Sequence, residues 1–184
     1  HITNFGELLA VCDINNDASN LLSQKFSCKS YYSVKDMLSA GLDFDVVSIC
    51  SPNGLHAEHS IDVVKAGYHV LCEKPMAITT VDCGRMIFEA EKANKRIFVI
   101  KQNRFNPPVA AVKKIIDEGR MGKIYTIQLN CFWNRNEDYY HNSWKGTNKL
   151  DGGTLFTQYS HFIDLLYWIF GDVKNVHAIT RNYA

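Results

Sequence analysis

The sequence lacks an excess of charge of either sign. Lysine and arginine number 20 against 19 aspartates and glutamates, which gives a formal net charge of +1. Nucleic-acid grooves and membrane surfaces are recognised by clustered excess cation, so we expect neither nucleic acid nor membrane as the main partner. The sequence also lacks an apolar run of membrane-spanning length, and residue 1 opens no signal-peptide pattern. These absences predict a cytoplasmic protein.

The six cysteines lack the spacing of a metal site. No Cys-x-x-Cys pair occurs among them, and we therefore predict no bound metal. Three of them, Cys12, Cys50 and Cys72, lie in apolar, strand-like surroundings, where cysteine packs as a small buried hydrophobe. We expect reduced thiols, with a disulfide framework as the alternative.

A further absence is the glycine fingerprint Gly-x-Gly-x-x-Gly of dinucleotide-binding folds. In such a fold the acidic residue that ends the second strand lies about 20 residues beyond the fingerprint. If Asp13 is that residue, the fingerprint falls roughly seven residues before residue 1. We therefore expect the first strand and its glycine turn to precede residue 1, and the second domain to continue beyond Ala184.

The first half of the chain alternates apolar strand patterns with helical patterns. Strands are predicted at 8–12, 45–50, 69–72 and 97–100, and helices at 56–66, ended by Gly67, and from Thr79 or Thr80 to about 94. Strands that alternate with helices form a parallel sheet with helices on both faces. We predict an α/β Rossmann domain over residues 1–103.

After Pro107 and Pro108 the pattern changes. The sequence predicts a short helix at 109–118, a long strand at 124–133, a polar and aromatic loop, an apolar helix at 154–170 and a strand-like segment from Val173. These elements predict the start of an α+β open-faced sheet domain over residues 104–184.

Two loops follow predicted strands, where the carboxyl ends of parallel strands form the ligand crevice. A lysine in the second loop can stabilise a developing alkoxide, and a glutamate can accept from a ribose hydroxyl. The alternatives are an ordinary strand-to-helix turn and an exposed ion pair. The predicted cofactor-binding residues are Ser51, Pro52, Asn53, His56, Glu73 and Lys74, together with Asp13 at the first strand end.

The helix at 154–170 places Thr157, His161 and Asp164 on one face, since they stand four and three residues apart. A histidine with an ordinary pKa of about 6.5 can accept a hydroxyl proton at neutral pH. The alternatives are a core histidine with satisfied hydrogen bonds and an Asp164 that only orients the helix.

The loop at 134–146 is rich in aromatic rings and hydrogen-bond donors, which suit sugar rings, carboxylates and diphosphates. We predict substrate contacts from Trp144 and Lys145 in this loop and from Arg104 in the segment 102–107. The alternative is a solvated connection in which the tryptophan packs locally.

Three motifs in this order resemble the family of glucose–fructose oxidoreductase, inositol dehydrogenase and rhizopine catabolism proteins: Ser51-Pro52-Asn53, residues 68–77 around Glu73-Lys74-Pro75, and Gly152-Gly153 followed by His161-x-x-Asp164. The resemblance implies a Rossmann domain that binds NAD or NADP and a sheet domain that carries the substrate. It implies that Lys74 contacts nicotinamide ribose and substrate, that the Lys74–Pro75 bond is cis, and that the protein is a homodimer or homotetramer. Asp13 favours NAD, because a carboxylate repels the extra phosphate of NADP.

Two departures from the family pattern bear on the chemistry. Many catalytic members have aspartate where this chain has Thr157, and Tyr159 replaces a common glycine. Threonine cannot act as a base at neutral pH, so the catalytic residues would be Lys74 and His161. Thr157 also keeps open the alternative of a non-catalytic dinucleotide-binding sensor.

The segment Ser143-Trp144-Lys145-Gly146, followed by Asp-Gly-Gly, resembles one branch of this family. That branch oxidises the 3-hydroxyl of UDP-N-acetylglucosaminuronic acid in the biosynthesis of bacterial surface polysaccharides. The resemblance implies an NAD-dependent dehydrogenase for this nucleotide sugar, and the alternative within the family is a dehydrogenase for inositol or a free sugar.

Overall fold

A computed structural model describes residues 6–141 and 143–181. The chain divides into two compact units, residues 1–99 and 100–184. The predicted domain boundary between residues 103 and 104 stays a prediction. Among the described residues, no helix combines the length and the apolar character needed to cross a bilayer.

The first unit is built on five short parallel strands. Strand β1 (Ala10–Cys12) pairs with β2 (Lys29–Tyr31), whereas β3 (Val46–Ile49), β4 (His69–Cys72) and β5 (Ile97–Val99) form a second sheet in that order. Ile49 lies beside Cys72 in the register of β3 and β4. The loops that follow these two strands therefore start next to each other at one edge of the sheet.

Four helices connect these strands, as parallel pairing requires. They are α1 (Asn16–Phe26), α2 (Val34–Ser39), α3 (His56–Lys65) and α4 (Thr80–Lys92). Asn15, Ser33 and Thr79 cap α1, α2 and α4 by accepting from backbone N–H groups of the first turn. After α3 the chain turns at Gly67 with a φ of 93°, a conformation that favours glycine.

The core of this unit lies between its second sheet and helices α3 and α4. Val63 and Val64 of α3, Val70 and Cys72 of β4 and Met86 of α4 are fully buried. Burial of apolar side chains drives this packing. Along β4, buried and partly exposed residues alternate, with Val70 and Cys72 buried and His69 and Leu71 partly exposed. The core therefore packs β4, which leads into the second loop, against α3, which follows the first loop.

The predicted parallel α/β sheet is confirmed, with strands at all four predicted places and α3 and α4 where helices were predicted. The sequence patterns missed β2 and the helices on either side of it. Strand β2 has only three residues, Lys29, Ser30 and Tyr31, of which two are polar, so it presents no apolar run. The signal for the missed helices was their caps, Asn15 and Ser33.

The second unit is helical in the described residues. A short 3-10 helix (Gln102–Phe105) precedes α5 (Pro107–Asp117), and α6 (Glu137–Tyr140) is a single turn. A π-helical turn (Leu155–Tyr159) leads into α7 (Ser160–Phe170), which ends at Gly171 with a φ of 89°. Proline at the start of α5 suits a first turn, whose N–H groups lack helical partners.

The strands predicted at 124–133 and from Val173 are wrong for this structure, since no described residue beyond Val99 belongs to a strand. A strand requires a neighbouring backbone to complete its hydrogen bonds, and the described part of this unit offers none to these segments. Their apolar side chains are accordingly exposed, with Phe132 at 94% and Ile179 at 92%. The sequence does contain the apolar pattern of a strand, but a strand also needs a partner segment from elsewhere in the chain.

Candidate active site

Asp13 lies immediately after β1 and is exposed. Its backbone N–H donates to the Tyr31 carbonyl at 3.1 Å, which extends the pairing of β1 with β2 by one residue. Its carboxylate accepts from the backbone N–H of Asn15 at 2.8 Å. This bond fixes the carboxylate at the carboxyl end of the strand, where ligands bind in parallel sheets.

The loop after β3 turns sharply into α3. Asn53 to Leu55 form a 3-10 turn, in which the Leu55 N–H donates to the Pro52 carbonyl at 2.8 Å. Asn53 is buried, with 6% of its surface exposed, whereas Ser51 and Pro52 are partly exposed. Of this predicted cofactor loop, Ser51 and Pro52 are thus more accessible than Asn53.

Two histidines of α3 contact Ser51. The Nε2 atom of His56 lies 2.8 Å from the Ser51 carbonyl oxygen, and the Nδ1 atom of His59 lies 3.0 Å from the Ser51 hydroxyl. Burial lowers the pKa of His59, whereas the carboxylates of Glu58 and Asp62 act to raise it, and the neighbouring His56 adds a smaller lowering contribution. The sequence patterns singled out His56 but not His59.

His56 also reaches the loop after β4. Its Nδ1 atom lies 2.7 Å from the carbonyl oxygen of Pro75, and only 1% of the residue is exposed. Both ring nitrogens are therefore engaged by backbone oxygens. The structure places the ring between the two predicted cofactor loops.

The loop after β4 contains Glu73 and Lys74. The Glu73 N–H donates to the Ile49 carbonyl at 3.0 Å, so this residue continues the pairing of the strands. The Glu73 carboxylate accepts from the Lys74 backbone N–H at 3.2 Å. The Lys74–Pro75 bond is cis, which confirms the expectation from the family resemblance.

Cys72 lies directly beneath this loop. Its thiol is fully buried and donates to the Glu73 carbonyl at 3.2 Å. Burial, chiefly, raises the pKa of the Cys72 thiol to about 11. Cys72 therefore packs as a neutral side chain.

In the second unit, Thr157 and His161 lie on either side of the change from the π-helical turn to α7. The Thr157 hydroxyl donates to the Gly153 carbonyl at 3.2 Å. Gly152 and Gly153 have φ angles of 76° and 87°, which only glycine adopts readily, so the Asp-Gly-Gly segment sets the path into this turn. A π-helical turn is rare, and such turns occur frequently at functional sites.

Asp164 anchors α7 to the 3-10 helix of the same unit. Arg104 donates to its two carboxylate oxygens, from Nε at 2.8 Å and from Nη2 at 2.6 Å, and Lys101 Nζ lies 3.8 Å away. The Arg104 guanidinium also lies 5.4 Å from the ring centre of Trp168. The structure thus places Arg104, a predicted substrate contact, in a bidentate ion pair.

This ion pair perturbs both partners. Burial acts to raise the pKa of Asp164, but the hydrogen bonds from Arg104 and the charges of Lys101, Arg104 and His161 outweigh burial, so that the pKa is lowered. The hydrogen bond to Asp164 raises the pKa of Arg104. Asp164 is therefore ionised at neutral pH.

In the segment 133–145, the side chains of an arginine and a lysine both lie over one tyrosine ring. Arg135 lies 4.9 Å from the ring centre of Tyr139 and 4.6 Å from that of Trp133. Lys145 lies 4.1 Å from the ring centre of Tyr139, whose hydroxyl accepts from Gln158 at 3.4 Å. We refer to Arg135, Tyr139 and Lys145 as the cation–tyrosine cluster. The sequence analysis singled out Lys145 as a site residue and placed the other two only within the donor-rich, aromatic loop.

The carboxylate of Asp151 binds the backbone next to Trp144 and Lys145. The Asp151 carboxylate accepts from the Gly146 N–H at 3.0 Å, and only 5% of the residue is exposed. Trp144 is partly buried, and its carbonyl accepts from the Thr147 hydroxyl at 2.7 Å. These bonds fix the backbone beside the cation–tyrosine cluster.

The described part of the chain comprises residues 6–141 and 143–181. Within these residues no group of three or more histidine, cysteine, aspartate or glutamate side chains is arranged to hold a metal ion. The six cysteines, all within the same ranges, are free thiols.

Solved structures of known dehydrogenases share this fold. The WlbA dehydrogenase from Bordetella pertussis, crystallised with NADH and UDP-GlcNAcA, is 39% identical, with a TM-score of 0.87 over 92% of this chain and 49% of that one. The WlbA dehydrogenase from Chromobacterium violaceum, in complex with the same two ligands, is 40% identical, with a TM-score of 0.88 and the same coverage.

A curated relative points the same way. The D-glucoside 3-dehydrogenase of Escherichia coli is 30% identical over 177 residues, which are 94% of this chain and 49% of that protein. The chain thus spans about half the length of the proteins it matches. The family described as an oxidoreductase family with an NAD-binding Rossmann fold matches residues 1–101, and the GFO/IDH/MocA C-terminal domain matches residues 109–184. The chain belongs to the GFO/IDH/MocA oxidoreductase family.

Proposed function

We propose that the protein is an NAD-dependent oxidoreductase that oxidises a hydroxyl of a sugar or nucleotide sugar. The substrate we favour is the 3-hydroxyl of UDP-N-acetylglucosaminuronic acid, in surface polysaccharide biosynthesis. The observation that carries this choice is the likeness to the two dehydrogenases crystallised with NADH and UDP-GlcNAcA, at 39% and 40% identity. We propose that the protein acts in the cytoplasm as a homodimer or homotetramer.

We propose that NAD binds along the carboxyl ends of the strands. The exposed Asp13 carboxylate is suited to accept from the adenosine ribose hydroxyls and to repel the phosphate of NADP. Ser51, Pro52 and Asn53 bring backbone close to the dinucleotide, and Glu73 accepts from the second ribose. NAD, when bound, supplies the acceptor for a hydride.

Lys74 and His161 are the proposed catalytic residues. His161 accepts the proton of the substrate hydroxyl onto its ring, while a hydride leaves the carbon that bears this hydroxyl. The Lys74 ammonium stabilises the negative charge that develops on the oxygen before the carbonyl forms. Thr157, whose hydroxyl donates to Gly153, contributes hydrogen bonding to substrate and no proton transfer.

The cation–tyrosine cluster supports a substrate with more than one negative charge. Arg135 and Lys145 both lie within 5 Å of the Tyr139 ring centre, and neither forms an ion pair with a described residue. A diphosphate or a sugar carboxylate would neutralise these charges, whereas inositol and neutral sugars would not. Trp144 adds an aromatic face beside them, and Arg104 remains a proposed substrate contact.

The role of His161 is tested by replacing it with asparagine in the full-length protein. If His161 is the general base, turnover falls by about 10²–10⁴-fold. His177→Asn is the matched control, because His177 is an exposed histidine of the same unit. Near-normal turnover of the His161 variant would end this assignment.

The substrate class is tested at the cation–tyrosine cluster. Removing either charge, by Arg135→Gln or Lys145→Gln, is expected to raise KM for the nucleotide sugar by about 10- to 150-fold, since a charge-assisted hydrogen bond contributes about 1.5–3 kcal/mol. Lys123→Gln is the control, because Lys123 also lies over a tyrosine, 5.0 Å from the Tyr125 ring centre. A KM equal to that of the wild type in the Arg135 and Lys145 variants, as in the Lys123 variant, would argue against an anionic substrate at this loop.

The second candidate is a non-catalytic dinucleotide-binding sensor, which Thr157 in place of aspartate favours. Such a protein would bind NAD without forming NADH with any sugar. A dehydrogenase for inositol or a free sugar is the remaining alternative, and the 30% identity to a D-glucoside 3-dehydrogenase supports it. Substrate panels separate the three.

A further inference from the structure

His56 is buried and touches two carbonyl oxygens. One belongs to Pro75, 2.7 Å from Nδ1, and the other to Ser51, 2.8 Å from Nε2. A carbonyl oxygen only accepts hydrogen bonds, and a neutral imidazole has a single N–H to donate. A neutral ring would therefore leave one unprotonated nitrogen facing a carbonyl oxygen at less than 3 Å.

Two effects oppose a charge on this ring, namely its burial and the positive end of the α3 dipole, since His56 is the first residue of that helix. Two short, charge-assisted hydrogen bonds favour the charge, and a neutral ring would replace one of them by lone-pair repulsion. The titratable groups on the segments around the ring are Glu58, His59 and Asp62 of α3, Cys50 before the first loop, and Glu73 and Lys74 in the second.

We infer that His56 is a doubly protonated positioning residue, which joins the loops after β3 and β4 and thereby fixes Lys74. The Pro75 carbonyl, on one side of Lys74, accepts from the His56 ring. On the other side, the Glu73 carboxylate accepts from the Lys74 N–H at 3.2 Å. The backbone of Lys74 is thus held from both directions.

The catalytic consequence rests on the proposed function, since it assumes that Lys74 acts on the substrate. His56 itself stays out of the chemistry, because only 1% of it is exposed and both ring nitrogens face backbone. This places the ring between the two cofactor loops, where it positions Lys74 rather than touching NAD.

The protonation state is tested without any variant, by neutron diffraction from crystals of the full-length protein grown near neutral pD. The inference predicts deuterium on both Nδ1 and Nε2 of His56. Deuterium on only one of the two nitrogens would overturn it. This result does not depend on whether the protein is a dehydrogenase.

The positioning role is tested with His56→Gln in the full-length protein. Glutamine has no ring with a donor on each side, so it cannot bridge the Ser51 and Pro75 carbonyl oxygens as His56 does. Displacing a catalytic group by about 1 Å costs on the order of 10²-fold in rate, so kcat per folded molecule is expected to fall by about that factor. His69→Gln is the matched control, because His69 lies at the far end of β4 and accepts from the Arg96 N–H at 3.0 Å.

Three outcomes separate the claims. A large fall in kcat, with a smaller change in KM and an unchanged His69 variant, supports positioning. A His56 variant whose kcat per folded molecule equals that of the wild type would overturn the positioning role, whatever its melting temperature. If the wild-type protein shows no dehydrogenase activity, the proposed function fails, and the neutron result still decides the state of His56.

Discussion

Replacement of Asp164 by asparagine removes the charge on which the anchor of α7 depends. Arg104 donates to both carboxylate oxygens, at 2.8 and 2.6 Å, and Lys101 lies at 3.8 Å. Asparagine has nearly the same shape, but it presents one acceptor oxygen instead of two and carries no charge. The variant therefore leaves two cations facing a neutral amide.

The expected loss follows from how far the pair is removed from water. The Asp164 side chain is 11% exposed and that of Arg104 is 30% exposed, so the pair is intermediate between a surface ion pair and a buried one. Surface pairs contribute about 0–1 kcal/mol, and hydrogen bonds to charged groups about 1.5–3 kcal/mol. We expect Asp164→Asn to lower the free energy of unfolding of the second unit by about 1–3 kcal/mol.

The pH dependence provides a second, independent test. The pKa of Asp164 is lowered in the folded protein, so its stabilisation is present above the unfolded pKa and is lost as the pH falls through the folded one. Urea unfolding at a series of pH values should show a constant difference between wild type and variant from pH 7 to about 5. The difference should shrink only below the ordinary aspartate pKa of about 3.9.

Asp172→Asn provides the matched control, because Asp172 is an exposed carboxylate just beyond α7 and its loss should change stability by less than about 0.5 kcal/mol. Equal stability of wild type and Asp164→Asn at pH 7 would show that the ion pair contributes nothing. A difference that persists unchanged at pH 3 would show that the loss comes from packing rather than from charge.

Two further predictions concern the first unit. Thr79→Ala should lower its stability by about 1 kcal/mol, because Thr79 accepts from the Asp82 N–H at 3.0 Å as the cap of α4; thermal melts against Thr80→Ala, one residue inside the helix, measure the effect of the cap. Native-state alkylation at pH 8 followed by mass spectrometry should label Cys50, which is exposed, well before Cys72. With a pKa of about 11, Cys72 holds only about one thiolate in a thousand at that pH, and rapid labelling of Cys72 would contradict its burial.

The sequence predicted what depends on local pattern. Apolar runs at Val46–Ile49 and His69–Cys72 carry their own strand signal, and Thr79 and Gly67 mark helix ends through their chemistry. Strand β2 was not predicted, because its three residues, two of which are polar, form a strand only by pairing with β1. For the same reason the apolar pattern at 124–133 overpredicted a strand, since no described segment pairs with it.

The candidate site divides in the same way. The positions of Asp13, Ser51 and Glu73 at strand ends follow from the strand pattern itself. The bridge from His56 to Pro75 joins residues 19 positions apart, and the Arg104–Asp164 pair joins residues 60 apart. No spacing rule predicts such contacts, because they depend on how separate elements pack.

The most direct test of the proposed function is a single-turnover measurement of NADH formation. Full-length protein with equimolar NAD would be mixed with UDP-N-acetylglucosaminuronic acid, and in parallel with UDP-N-acetylglucosamine, inositol and D-glucose. We predict NADH absorbance with UDP-N-acetylglucosaminuronic acid, and little or none with the other three. Tight binding of NAD without NADH formation from any of the four would contradict the dehydrogenase assignment for this panel and favour the sensor.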